Sequence, residues 1–165
     1  MRLAEAPPLT RARVAGALAG DGARPAARPA QSQPARPVDL SVIVPTFNER
    51  DNVVELVRRL DIVLAGRAWE VVFVDDDSPD ETARVVRELA RSHPNVRCLH
   101  RIGRRGLSRA VIEGILSTTA PQVAVMDADL QHDEALLPAM VDRMCDEGLD
   151  LVVGSRYCLG GSVEG

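Results

Sequence analysis

From Leu40 onward the chain alternates short, valine-rich apolar runs with segments of helical spacing, and this alternation restricts the fold more than any other feature. The runs cover residues 40–44, 69–74, 96–99, 123–126 and 149–153, each too short for a helix and suited to a buried strand. Between them, segments at about 51–64, 79–91, 107–117 and 134–147 carry helical patterns, the first through Val53, Val54, Leu56, Val57, Leu60 and Leu64. Ser78, Pro79 and Glu81 read as a capping box with proline at the first helical position. Asp133 reads as the N-cap of the fourth helix and Gly148 as its stop. Strand and helix in strict turn predict an α/β fold, a mostly parallel sheet flanked by helices.

Residues 1–37 differ in character, rich in Ala, Pro (Pro25, Pro29, Pro34, Pro37) and Arg (Arg24, Arg28, Arg36) without a sustained period. They read as a disordered leader ahead of one domain over residues 38–165. A solvated tail accounts for the spread arginines, and attraction to anionic membrane phosphate is the functional alternative. No run reaches the roughly 18 apolar residues of a membrane span, and residues 14–19 are too weakly apolar for a signal core. A cytoplasmic protein is therefore expected. Cys98, Cys145 and Cys158 are scattered and odd in number, which reads as reduced thiols. With 2% aromatic residues and a net charge of −4, the chain lacks stacking platforms and a basic surface for nucleic acid.

In a parallel sheet the polar residues after each strand gather on one rim, where open α/β folds bind ligands. The first strand delivers Pro45, Thr46, Phe47, Asn48 and Glu49, the second Asp75, Asp76, Asp77 and Ser78. The third delivers Arg101, Arg104, Arg105 and Gly106, the fourth Asp127, Ala128 and Asp129, the fifth Ser155 and Arg156.

Asp127 and Asp129 end an apolar run, with Gln131 at the same spacing. Residues two apart in extended backbone share a direction, so three oxygen ligands would converge there. Crowded carboxylates repel, and a hard divalent cation, Mg2+ or Mn2+, relieves the repulsion. The pattern points to metal-assisted handling of phosphate. Asp76, at a strand end, suits hydrogen bonding to a nucleotide's base or ribose; negative charge ahead of a helix is the plainer account. Arg101, Arg104 and Arg105, with Gly103 and Gly106, could meet phosphate bidentately or simply form a solvated loop. His132, just after the acidic group, could be a base or a ligand, though an exposed helix-entry residue is the plainer account, and His93 and His100 show no partner pattern. Arg156, beside Gly154 and Ser155, stands where a cation could neutralise diphosphate.

Taken together, residues 41–49 (Ser-Val-Ile-Val-Pro-Thr-Phe-Asn-Glu), 74–80 (Val-Asp-Asp-Asp-Ser-Pro-Asp), 104–107 (Arg-Arg-Gly-Leu), 126–132 (Met-Asp-Ala-Asp-Leu-Gln-His) and 154–157 (Gly-Ser-Arg-Tyr) resemble the family 2 glycosyltransferases, most closely the dolichyl- or polyprenyl-phosphate mannose synthases. The resemblance implies a GT-A-type, Rossmann-like fold, a nucleotide-sugar donor (GDP-mannose rather than a UDP-sugar) and a polyprenyl-phosphate acceptor at the membrane surface. It implies that Pro45, Phe47, Glu49, Val74, Asp76 and Arg105 bind the nucleotide sugar. Asp127, Ala128 and Asp129 would meet the diphosphate, Asp127, Asp129 and Gln131 the metal, and Arg156 the phosphates or acceptor. Asp127, Asp129 and Arg156 are then the catalytic candidates, in an inverting single displacement. Similar proteins continue beyond the position of Gly165, so an incomplete catalytic domain is expected, with a further segment or a partner protein anchoring it at the cytoplasmic face of the membrane. Asp77 stands where the family often has glycine, a change that aspartate tolerates in left-handed backbone.

Two rivals follow from the same residues. A haloacid-dehalogenase-type phosphatase also uses Asp-x-Asp after a strand, but usually on the first strand and with a supporting lysine, and this chain has no lysine. A sugar-nucleotide-binding module without turnover is the other.

Overall fold

The computed structural model describes residues 37–155. Residues 1–36 of the leader expected over 1–37, and Arg156, Tyr157 and Cys158, lie outside the described residues.

β1 (Leu40–Thr46) and β2 (Trp69–Asp75) are buried along nearly their whole length, the mark of strands covered on both faces. They occupy the middle of a four-stranded sheet of order β3–β2–β1–β4, with β3 (Val96–His100) and β4 (Gln122–Val125) at the edges. All pairings are parallel. β1 runs in register with β2 from Leu40 opposite Trp69 to Thr46 opposite Asp75, and with β4 from Leu40 opposite Gln122 to Ile43 opposite Val125.

Period-two alternation divides the apolar residues between the two faces. Leu40, Val42, Val44, Val71 and Phe73 join the main core with helix α1 (Val53–Val63), helix α2 (Thr82–Leu89) and helix α4 (Leu137–Asp146), which enters through a short 3-10 turn at Glu134–Leu136. Ile43, Val72 and Val74 face the other way and meet Ala110 of helix α3 (Leu107–Leu116). Each fully buried Val or Leu contributes roughly 1.5–3 kcal/mol over an exposed one. Gly114 lets α3 approach closely, since a Cβ there would run into Cγ2 of Ile43 and lie 2.9 Å from Cγ2 of Val74.

From β1 the chain steps outward to β2 and β3, and α3 then returns it across β1 to β4. The direction of winding therefore reverses between β1 and β4, a switch point of the kind at whose carboxyl ends open α/β sheets bind ligands.

Two expectations are corrected. Residues 149–153 form no strand, and Leu149, Leu151 and Val153 are exposed. An isolated extended run has no ladder to satisfy its backbone, and among the described residues nothing pairs with the outer edge of β4. The capping box is likewise absent, because the Ser78 hydroxyl is spent on Asp75 at 2.6 Å. Asp80 replaces it, accepting from the Thr82 amide at 3.0 Å and the Thr82 hydroxyl at 2.6 Å. The helix starts at Thr82, after Glu81 passes through left-handed backbone at φ 70°. Asp133 does cap the 3-10 turn ahead of α4, accepting from Ala135 N at 3.0 Å.

Candidate active site

The three aspartates at the end of β2, Asp75 within the strand and Asp76 and Asp77 just past it, bind different partners, and together they build the rim. Asp75 is fully buried; its carboxylate accepts from the Ser78 hydroxyl and amide and, at 3.4 Å, from the Thr46 hydroxyl at the end of β1. Asp76 accepts from the Arg101 guanidinium through Oδ1 and from the Gly106 amide at 2.7 Å through Oδ2. Asp77, left-handed at φ 58°, accepts from His100 Nε2 at 2.9 Å and from the Gly103 amide at 3.1 Å. The Gly103 amide, then His100, hold the Asp77 carboxyl below its ordinary value. The Arg87 guanidinium lies 2.7 Å from His100 Nδ1 and can only donate, so Nδ1 accepts and Nε2 carries the proton toward Asp77.

The basic loop after β3 is therefore tied down at both ends. Arg101 is not open to phosphate: it is 1% exposed, with Asp76 on one side and Glu113 Oε1 3.3 Å from its Nε. Arg104 is held by Glu113 at 2.9 Å. Arg105 has no carboxylate partner within 4 Å among the described residues, and its guanidinium lies over the Phe47 ring, 4.3 Å from the centroid.

Phe47 is half-exposed past the end of β1. The next three amides are pinned to the turn before α2 and to the helix's first residue: Asn48 N donates to Ser78 Oγ, Glu49 N to Thr82 Oγ1 and Arg50 N to Asp80 Oδ2, all at 3.0–3.1 Å. Glu49 accepts from Asn52 Nδ2 at 2.7 Å, and Pro45 is half-buried beside these residues in the chain. Val74 is fully buried in the small core under α3.

At β4, the amide of Met126 still donates to Ile43 O, and burial then alternates: Met126 and Ala128 are buried, Asp127 and Asp129 exposed. The two carboxylates thus share a side, as their spacing predicts. Gln131 does not belong to that extended run, because Leu130 turns the chain at φ 62° and Gln131 N donates to Asp129 Oδ1 at 3.0 Å. Leu130 itself packs on the main core, which holds an otherwise unfavourable conformation. Among the described residues no group of three or more His, Cys, Asp or Glu forms a ready metal cluster. The donors nevertheless fit a hard divalent cation: neither aspartate meets an arginine within 4 Å among the described residues, and each keeps oxygen lone pairs free for a ligand.

The partners of His132 and His100 are what the sequence reading missed. His132 Nδ1 accepts from Asp127 N at 3.2 Å, and its Nε2 lies 3.5 Å from Asp127 Oδ2, so it is more than a helix-entry residue. His100 joins Asp77 to Arg87. Neither pairing has a local sequence signal; His100 and Asp77 are 23 residues apart. Cys98 and Cys145 carry free thiols, and burial pushes the Cys98 thiol up.

Three relatives bear on this arrangement. A dolichol-phosphate mannosyltransferase of Pyrococcus furiosus is 45% identical over 125 residues, covering 76% of this chain and 35% of that protein. A Saccharomyces cerevisiae protein of the same name is 35% identical over 130 residues, covering 77% of this chain and 48% of its own length. A solved mannosyltransferase of Pyrobaculum calidifontis, PcManGT, in complex with GDP-Man and Mn2+, superimposes with a TM-score of 0.58 at 29% identity, over 67% of this chain and 33% of that one. The chain thus spans between about a third and a half of the length of these curated relatives, and its fold is of the GT-A type. The sequence model for glycosyl transferase family 2 matches residues 41–163, four of whose strand ends have just been described, and the chain belongs to that family.

Proposed function

We propose that residues 38–165 form the nucleotide-sugar-binding domain of a metal-dependent, inverting glycosyltransferase that moves mannose from GDP-mannose to a polyprenyl or dolichyl phosphate. One observation carries this reading: exposed Asp127 and Asp129, alternating with buried Met126 and Ala128, stand past β4 beside the strand whose end presents Phe47 under Arg105. The names of the relatives, and the GDP-Man and Mn2+ bound to PcManGT, support the donor, the acceptor class and the need for a divalent ion.

Asp127 and Asp129 would hold Mg2+ or Mn2+, which when bound neutralises charge on the departing diphosphate. Pro45, Phe47, Glu49, Asp76 and Arg105 would seat the nucleoside, with Val74 supporting them from the core. Arg156 would stabilise the diphosphate or the acceptor. An acceptor phosphate oxygen attacks the anomeric carbon as the bond to the nucleoside diphosphate breaks, with inversion. That oxygen is already anionic at neutral pH, so no strong general base is needed. The acceptor's lipid would bring the protein to the membrane surface; among the described residues no helix is long and apolar enough to cross a membrane.

The test is calorimetric titration with GDP-mannose, with and without Mn2+, followed by Asp129→Ala. Binding that needs Mn2+ and is lost in the variant supports the reading. Unchanged affinity in the variant refutes it. Incubation with labelled donor and polyprenyl phosphate separates turnover from binding alone, and a UDP-sugar titration tests the base.

A further inference from the structure

Arg101 is the largest fully buried side chain in the described structure, and it is a charged one. A buried cation is strongly unfavourable unless paired, so its surroundings explain why it is tolerated. Its amide donates to Asp75 O at 2.8 Å, extending the β2–β3 ladder by one step. Its side chain donates to Asp76 Oδ1 and, at 3.4 Å, to Gly106 O. Its Nε lies 3.3 Å from Glu113 Oε1 without hydrogen-bond geometry, and is the one buried side-chain nitrogen or oxygen among the described residues with no hydrogen-bond partner. Asp76 answers with its second oxygen, taking the Gly106 amide at 2.7 Å. The loop from Arg101 to Gly106 is thus closed on itself through one carboxylate and one guanidinium. Gly106, at φ 127° and ψ 118°, sits in backbone that side chains rarely permit. Arg105, which lies on Phe47, is the residue next to that closure.

We propose that Arg101 is a positioning residue of the donor site: by locking Asp76 and Gly106 together it holds Arg105 over Phe47, and so sets the nucleotide affinity without touching the nucleotide. This rests on the donor-site reading above. A lysine could keep the charge but not the two-sided planar contact with Asp76 and Glu113, so the guanidinium shape itself matters.

The experiment is a double-mutant cycle read by GDP-mannose titration in the presence of Mn2+, using the full chain, Arg101→Lys, Arg105→Ala and the double variant, with thermal melts alongside. Arg101→Lys is expected to weaken binding about tenfold, and Arg105→Ala by a similar factor. In the Arg101→Lys background, Arg105→Ala should cost less than about twofold, because Arg105 is already displaced. A merely structural arginine would lower the melting temperature and leave the two effects multiplicative, which would overturn the proposal. Wild-type binding retained by a folded Arg101→Lys would overturn it too. Should that variant not fold, Glu113→Gln loosens the same guanidinium from its other side and is expected to give the same coupling; independent effects there refute the idea. Failure of the unaltered chain to bind GDP-mannose with Mn2+ would instead reject the donor site, and with it the basis of this inference.

Discussion

The guanidinium of Arg105 rests 4.3 Å from the centroid of Phe47, joining the loop after β3 to the end of β1 across the intervening strand β2. Neither residue is near the other in sequence, and each leaves part of its surface open to a ligand. A planar cation on an aromatic face makes a flat, positively charged floor, suited to a base and its attached phosphates.

Phe47→Leu removes the ring and keeps much of the apolar bulk. GDP-mannose affinity should fall by about threefold to tenfold, since an exposed cation–π contact is worth about 0.5–1 kcal/mol and any base stacking adds to it. Stability should change by less than about 0.5 kcal/mol, because Phe47 is half-exposed. Calorimetric titration and a thermal melt check the two halves separately.

Asp129→Asn keeps the side chain's size and its acceptor for the Gln131 amide, but removes the charge a divalent ion needs. The expected result is at least about a tenfold loss of Mn2+-dependent affinity, with binding in chelator-treated samples unchanged. A variant whose Mn2+ response matches the parent's would rule out Asp129 as a ligand.

Gly114→Ala probes the packing that brings α3 onto the sheet. The added methyl collides with Ile43 and Val74, both in the small core, so α3 must shift. The variant should lose about 1–3 kcal/mol in urea unfolding, despite alanine's better helix propensity. A stabilised variant would mean that α3 is not seated this closely.

Glu55 gives a pH-dependent test away from the site. Hydrogen bonds from Arg58 and then Arg59 pull its carboxyl from an ordinary 4.5 down to about 2. A depressed folded-state value adds stability above the unfolded value and loses it as pH falls through the folded one. Parent and Glu55→Gln should therefore differ most near pH 7 and converge as pH drops from 4.5 toward 2. A difference that grows on acidification would contradict the ion pairs.

Much of this was legible in the chain. Valine-rich runs and helical spacing marked four strands and four helices to within a few residues, because strands covered by helices read as unbroken apolar runs and one-sided helix burial leaves a 3.6-residue period. The left-handed Asp77 was also foreseeable, aspartate being one of the few residues that accept it readily. The expected strand at residues 149–153 shows the limit: local pattern can propose a strand, but only a neighbouring edge can make one. The capping box failed for a related reason, since a hydroxyl that Asp75 claims cannot also cap a helix.

What the order of residues determined by itself is the alternation, and with it the rim that collects carboxylates and arginines at the strand ends. Tertiary structure alone decided which of them stay free. Arg101 and Arg105 are four positions apart in the same basic loop, yet one is locked between Asp76 and Glu113 while the other lies on Phe47. Composition cannot separate them, because charge pairing depends on distances that appear only once β2, β3 and α3 have packed together.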